Sequence, residues 1–401
     1  MTMTKRRTKK YLAVRIICSL VLGAYLVGGY CEPVAWGAAD ISDTSKVDGT
    51  FIGTVNRATI QGTGVSATGT TNSAWGKNTT ADGYLATAFG SDTKALGASA
   101  TAFGKGTYAD FNSATAFGTG TYAVAESATA FGWLTRAEGD ISTAFGNETI
   151  ASGHYSTAFG SKTTASGQDS TAFGQDTTAS GDGATAWGGW VTDEGEEFKG
   201  GTASGKASTA FGMETTASGD GATAWGGYVY KSAKYEGGTA SGRASTAFGI
   251  GTKASGAQST AFGDTTTASG AQSTAFGDTT TASGDDSTAF GNGTTASGYY
   301  ATAFGIQTRA SGNGATAFGS NTIAAGISST AWGDGSSVGG EASTAFGKNS
   351  QAIGNNSLAA LGGKTGGGSI IVDPGTGLVI TNIIPEKTGE GAVAIGEGAL
   401  A

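Results

Sequence analysis

The hydrophobic and polar positions of this 401-residue chain recur with one fixed period. A Phe-Gly or Trp-Gly pair stands at Trp75, Phe89, Phe103, Phe117, Phe131, Phe145, Phe159, Phe173 and Trp187, each 14 residues after the last. After two interruptions the pair returns at Phe211 and Trp225, then runs from Phe248 to Phe346 in the same step, giving nineteen copies. A lighter half such as Thr164-Ala165-Ser166-Gly167 places another Gly seven residues on. Gly fills 17 of the 19 seven-spaced positions from Gly62 to Gly188, with Phe111 and Ala125 the exceptions. The unit is seven residues, paired into fourteen.

A seven-residue period with apolar a and d positions would predict a coiled coil. A Gly in every heptad costs a helix about 1 kcal/mol per copy relative to Ala, which excludes that reading. Extended chain such as Ser-Thr-Ala-Phe followed by a Gly-containing turn fits instead. Each fourteen then predicts one coil of strand, turn, strand, turn. Stacked coils predict two parallel sheets with neighbouring strands ~4.8 Å apart and a rod roughly 90 Å long. The fold class is all-β, a parallel β-roll or solenoid of 14-residue coils.

Alternation along the strands predicts the buried faces. In the light strand Thr and Ala recur while the residue between them varies (Ile150, Thr164, Lys253, Arg309), so one face is wet. In the heavy strand Ser or Ala, Thr, Ala and Phe or Trp all recur, so both faces read as buried. One roll cannot bury both faces of a strand, which predicts packing against other chains. The expected arrangement puts the Thr-Phe face inside the roll and the Ser-Ala face between chains, with the reverse open.

Gly-bounded fourteens reading S-T-A-F-G-x-x-T-x-A-S-G resemble the head repeats of YadA-like trimeric autotransporter adhesins, whose familiar form is S-V-A-I-G-x-x-S-x-A-x-G. "GAVAIGEGALA" from Gly391 and "GNNSLAALGG" from Gly354 come closer still, and the resemblance covers about residues 58 to 401. It implies a left-handed parallel β-roll and a homotrimer displayed on the outer membrane of a diderm bacterium. It also implies binding to host matrix or cell-surface protein, or to other bacterial cells. Thr and Phe or Trp replace Val and Ile in nearly every copy, so no ligand preference of the V-A-I-G form carries over.

Phase breaks divide the chain further. Residues 1–39 read as a signal peptide, with Lys5, Arg6, Arg7, Lys9 and Lys10, an apolar run from Tyr11 to Tyr30, and Gly37-Ala38-Ala39 before Asp40. An uncleaved anchor is the rival reading, against which stand Arg15 and several glycines within the run. Residues 40–57 are a lead-in, 58–354 the head repeats, 355–390 an irregular insert or hairpin, and 391–401 the start of a further repeat. Neck, stalk and anchor strands are missing, so the chain is expected to be a fragment or a released head, with membrane contact only through the missing anchor.

The two interruptions predict β-hairpins near 189–200 and 227–237, projecting from the same side two coils apart. Both follow "GDGATAWG". They offer the candidate ligand-binding residues Trp190, Glu194, Glu196, Glu197 and Phe198 in the first, with Tyr228, Tyr230, Lys231, Lys234 and Tyr235 in the second. Clamping a neighbouring chain or covering the rod is the other role for the same residues.

Charge and composition then narrow the chemistry. Removing the leader's six basic residues and one acid takes the formal charge from −8 to −13, which disfavours nucleic-acid phosphate as a partner. Both cysteines, Cys18 and Cys31, lie in the leader, so the remaining chain has no thiol for disulfides, catalysis or metal. The single histidine, His154, leaves no hydroxyl-histidine triad and no multi-histidine metal site. Acids such as Asp176, Asp264 and Asp278 stand singly in turns, and "GGKTGGGS" from Gly362 lacks the first Gly of a phosphate loop, since Leu358 stands there. No enzyme, cofactor or metal is expected. An adhesin head is the leading function. A secreted ice-binding or structural solenoid is the alternative, supported by the recurring Thr and opposed by their expected burial.

Overall fold

A computed structural model describes residues 25–27, 30–32, 51–55, 58–67, 71–191, 197–230, 233–362, 364–365, 369–372, 382–383 and 393–395. It divides into two compact units, Met1–Ser180 and Gly181–Ala401. Among the described residues the chain is all-β without helix, and each unit is a stack of parallel coils of about fourteen residues.

In the first unit a five-residue heavy strand and a two-residue light strand alternate. Thr157–Ser161 with Thr164–Ala165 is one such coil. Each heavy strand pairs in parallel with the one fourteen residues on, in register Thr143↔Thr157, Ala144↔Ala158 and Phe145↔Phe159. Light strands do the same, as in Ile150↔Thr164 and Ala151↔Ala165. The repeat makes every side chain meet its own kind in the next coil. At the start of the stack Ala58–Thr63 pairs in parallel with Ser73–Lys77, and its other edge is covered by antiparallel Phe51–Val55. That hairpin occupies a ladder edge that would otherwise stand open.

The second unit follows the same rule from Thr185–Gly188 to Leu358–Ala360. Beyond it Val393–Ile395 pairs in parallel with Leu358–Ala360, in register Leu358↔Val393 and Ala360↔Ile395, so a heavy strand re-enters the stack after the phase loss.

Small side chains fill the interior. Ala144, Ala158 and Ala172 of the heavy strands, Ser156 and Ser170 just before them, and Thr163 and Ala165 of the light half are all 0% exposed. The largest fully buried side chain among the described residues is Val338. This reverses the expected orientation of the heavy strand: the Ser-Ala face lines the roll and the Thr-Phe face points outward. A fourteen-residue coil with a two-residue light strand brings its walls too close to hold a phenyl ring, so the ring goes outside. Phe145 accordingly keeps 38% of its surface and Phe159 keeps 40%. The expectation that both heavy-strand faces are buried is not met within a single chain. The wet light-strand position behaves as expected, Thr164 being half-exposed between buried Thr163 and Ala165.

Candidate functional site

Three outward surfaces carry chemistry. The first is the aromatic ladder of the heavy face. In the first unit the Phe103, Phe117, Phe131, Phe145 and Phe159 rings stack at 4.7 Å with interplanar angles of 4° or less. In the second unit Phe248 to Phe318 repeat this at 4.7–4.9 Å. The ring spacing equals the separation of neighbouring strands, so the backbone ladder dictates the stack. It tilts wherever Trp takes the place of Phe: Trp187, Phe211, Trp225 and Phe248 meet at 29–38°, and Trp332 meets Phe318 at 56° and Phe346 at 65°. Beside the rings runs a parallel column of outward threonines such as Thr143 and Thr157. A contiguous apolar stripe of this kind marks an interaction surface.

The second surface is the pair of hairpins in the second unit. Trp190–Val191 pairs antiparallel with Glu197–Phe198, in register Trp190↔Phe198 and Val191↔Glu197. Tyr228–Tyr230 pairs with Ala233–Tyr235, in register Tyr228↔Tyr235 and Val229↔Lys234. Both replace the turn between a heavy and a light strand, after Thr185–Gly188 and Thr223–Trp225, so they leave the same corner with the Phe211 coil between them. Trp190, Glu197 and Phe198 thus share one hairpin, and Tyr228, Tyr230, Lys234 and Tyr235 share the other. Glu194, Glu196 and Lys231 lie outside the described residues.

The third surface was not singled out by sequence reasoning. At the variable light-strand position, where Thr is commonest, four successive coils carry Lys94, Tyr108, Tyr122 and Arg136. The tyrosine rings stack at 4.9 Å and 5°, with the Lys94 ammonium 5.1 Å from the Tyr108 centroid and the Arg136 guanidinium 5.7 Å from that of Tyr122. Two residues on, the same face carries Leu96, Asp110, Val124 and Glu138. Arg136 Nε donates to Glu138 Oε1 at 2.6 Å. Asp110 Oδ1 is buried without a hydrogen-bond partner, and burial pushes its carboxyl above the usual range against the pull of Lys94. The signal was present in the sequence as a run of two aromatics between two cations at fourteen-residue spacing.

Elsewhere the polar groups serve the turns. Asn112, Asp140, Asp220, Asp285, Asn313 and Asn355 each accept, through Oδ1, the backbone N–H fourteen residues earlier. His154 is a solvated turn residue whose Nδ1 sits 3.3 Å from Asp140 Oδ2. Asp92 is held below the usual carboxylate range by hydrogen bonds from Asn78 and Ser91, and the Tyr299 phenol is raised, first by its hydrogen bond with Tyr300. Among the described residues no group of three or more His, Cys, Asp or Glu is placed to hold a metal ion. No helix among them is long and apolar enough to cross a membrane.

No curated protein matches the chain. The family described as YadA head domain repeat (2 copies) matches residues 81–107, 112–135, 137–163, 165–189, 203–228, 240–266, 268–294, 296–322 and 339–360. Those segments cover more than half of the sequence and follow the coils of both units. The chain belongs to the YadA head-domain repeat family.

Proposed function

We propose that this chain is a non-enzymatic adhesin head that works as a homotrimer on a bacterial surface, attaching to host matrix, host cells or other bacteria. The observation that supports it best is the outward Phe ladder. An acidic chain whose two units each carry a column of half-exposed rings needs a cover, and two further copies presenting the same ladder supply one of matching period. Covering a ring like Phe145, which keeps 38% of its surface, removes on the order of 80 Å² from water, or roughly 2 kcal/mol per ring. Repeated over many coils, this is ample to hold three chains together. With the heavy faces turned inward, the light faces and the hairpins remain outside, and weak contacts are multiplied threefold. Beads coated with purified protein and challenged with immobilised collagen, fibronectin or laminin, and with bacterial cells, test the reading. Retention above that of uncoated beads on at least one surface is expected; retention on none refutes it.

A second reading has its own observation. Threonines of both sheets face outward in ranks, including Thr267, Thr281 and Thr295 on the light face, so the inward placement that argued against an ice-binding solenoid does not hold for them. Thermal hysteresis by the purified chain would favour it, and an unchanged freezing point removes it.

A further inference from the structure

The coils of the second unit are so alike that their heavy face poses a problem of register. From Thr185 to Thr344 the residue two before each ring is always Thr, and residues 254–267 and 268–281 are identical throughout. Copies of the chain meeting through such a face could slip by a whole coil and lose one level of contact out of eleven, because a repetitive strand specifies register weakly. Three of the eleven ring levels differ from the rest: Trp187, Trp225 and Trp332 stand where the others carry Phe. All three are exposed on the outward face. Phe276 and Phe290 lie within 2° of parallel, whereas Trp332 is turned 56° from Phe318 and 65° from Phe346. The three levels are unevenly placed. Trp187 and Trp225 are two coils apart, by way of Phe211. Trp225 and Trp332 are seven apart, one step to Phe248 and then six steps of fourteen residues. The separations of two, seven and nine coils are all different. A slip by any one of them brings a single Trp level with another Trp, and every other slip brings none. Only two copies in register bring all three level. A Trp set level with Phe overfills its own level or leaves the neighbouring one short, and a close-packed interface resists both.

We propose that Trp187, Trp225 and Trp332 are register marks: the heavy face of the second unit takes a second copy of this chain, and the indoles admit that copy only with its own three level with them. The inference rests on the reading that copies of the chain cover the ladder, and it adds which alignment they adopt. The hairpins beside Trp187 and Trp225, and the strands beyond Leu358–Ala360, are the other irregular features of this unit, so the test holds both constant.

Deleting residues 268–281 removes one coil whose twin at 254–267 closes the gap, and it brings Trp332 one coil nearer to Trp225. The full chain and the deletion chain are produced together, one of them carrying an affinity tag, and the tagged assemblies are assayed for the untagged chain. A second pair carries Trp332→Phe in both chains, the residue already present at the neighbouring Phe318 and Phe346 levels. Hairpins and chain ends are the same in the two pairs, so the difference between them reads the indole alone. Light scattering gives the mass of each chain produced by itself. Should the deletion chain fail to fold, inserting a further copy of 268–281 moves Trp332 the other way, with the same result expected. With the indole present, mixed assemblies should be about tenfold rarer than chance mixing gives, and Trp332→Phe in both chains should bring them within about twofold of chance. Chance mixing with the indole in place overturns the inference. Equal exclusion with and without the indole also overturns it, moving the register to the hairpins or the chain ends. A single-chain mass for the native protein removes the trimer reading and this inference together, whereas trimers that mix freely remove this inference alone.

Discussion

Replacing Gly160 by Ala is a severe test of the stacked-coil geometry. Gly160 follows Phe159 with φ +135, a backbone conformation essentially reserved for Gly. A methyl group built there would lie 1.8 Å from the carbonyl oxygen of Gly174 in the next coil and 2.8 Å from its carbonyl carbon. An ordinary C···O contact is about 3.3 Å, so the two coils would have to part by more than about 1 Å. That breaks about four ladder hydrogen bonds at about 1 kcal/mol each, and the forced φ adds about 1–3 kcal/mol. The expected loss is about 5–7 kcal/mol, much of the stability of an ordinary domain. Gly106 provides the internal comparison. Its φ is +62 and the nearest atom to an added methyl lies 3.9 Å away, at the Gly120 nitrogen. The equivalent turn position already carries Asp92 and Lys162 at φ 57 and 54. Gly106→Ala should therefore cost only about 1 kcal/mol. Urea denaturation, with amide exchange across residues 157–175, reads both variants. A Gly160→Ala protein within about 1 kcal/mol of the parent, or no worse than Gly106→Ala, would refute the close carbonyl contact.

Other perturbations probe the remaining parts of the account. Phe145→Thr removes one ring from the middle of the outward ladder; sedimentation should show association weakened by roughly 1–2 kcal/mol per chain, and an unaltered assembly constant would mean the ring is not at an interface. Thr163 Oγ1 is fully buried with no hydrogen-bond partner, so Thr163→Val should raise the unfolding free energy by about 1 kcal/mol; a loss of stability would show that the hydroxyl is satisfied in solution. The raised carboxyl of Asp110 means the fold favours its protonated form, a contribution fully present below the unfolded carboxyl's range and lost as pH rises through the higher folded value. Asp110→Asn should accordingly stabilise the chain at neutral pH, with the gain vanishing in acid, and a gain independent of pH would contradict the burial argument.

The period, the strands and the stacked coils were legible because a seven-residue Gly spacing allows no helix and the repeat repeats its own register. The family likeness was legible from the same phrase. The orientation of the heavy strand was not. Thr157 and Phe159 on one face recur as faithfully as Ser156 and Ala158 on the other, so recurrence could not say which face is interior. The answer depends on the width of a coil whose light strand is two residues long, a quantity of packing rather than of pattern. The hairpins announced themselves by breaking the phase at Trp187 and Trp225. The Lys94, Tyr108, Tyr122 and Arg136 column passed unnoticed because it sits at the position read as freely variable; its meaning appears only when coils fourteen residues apart lie within stacking distance.

The central claim is that the outward aromatic face is covered by copies of the same chain. The most direct measurement is the native mass of purified residues 40–401 by light scattering across a dilution series. The account predicts three chains that persist on dilution, with Phe145→Thr shifting the equilibrium toward single chains. A folded single chain at all concentrations, its ladder open to water, would contradict it.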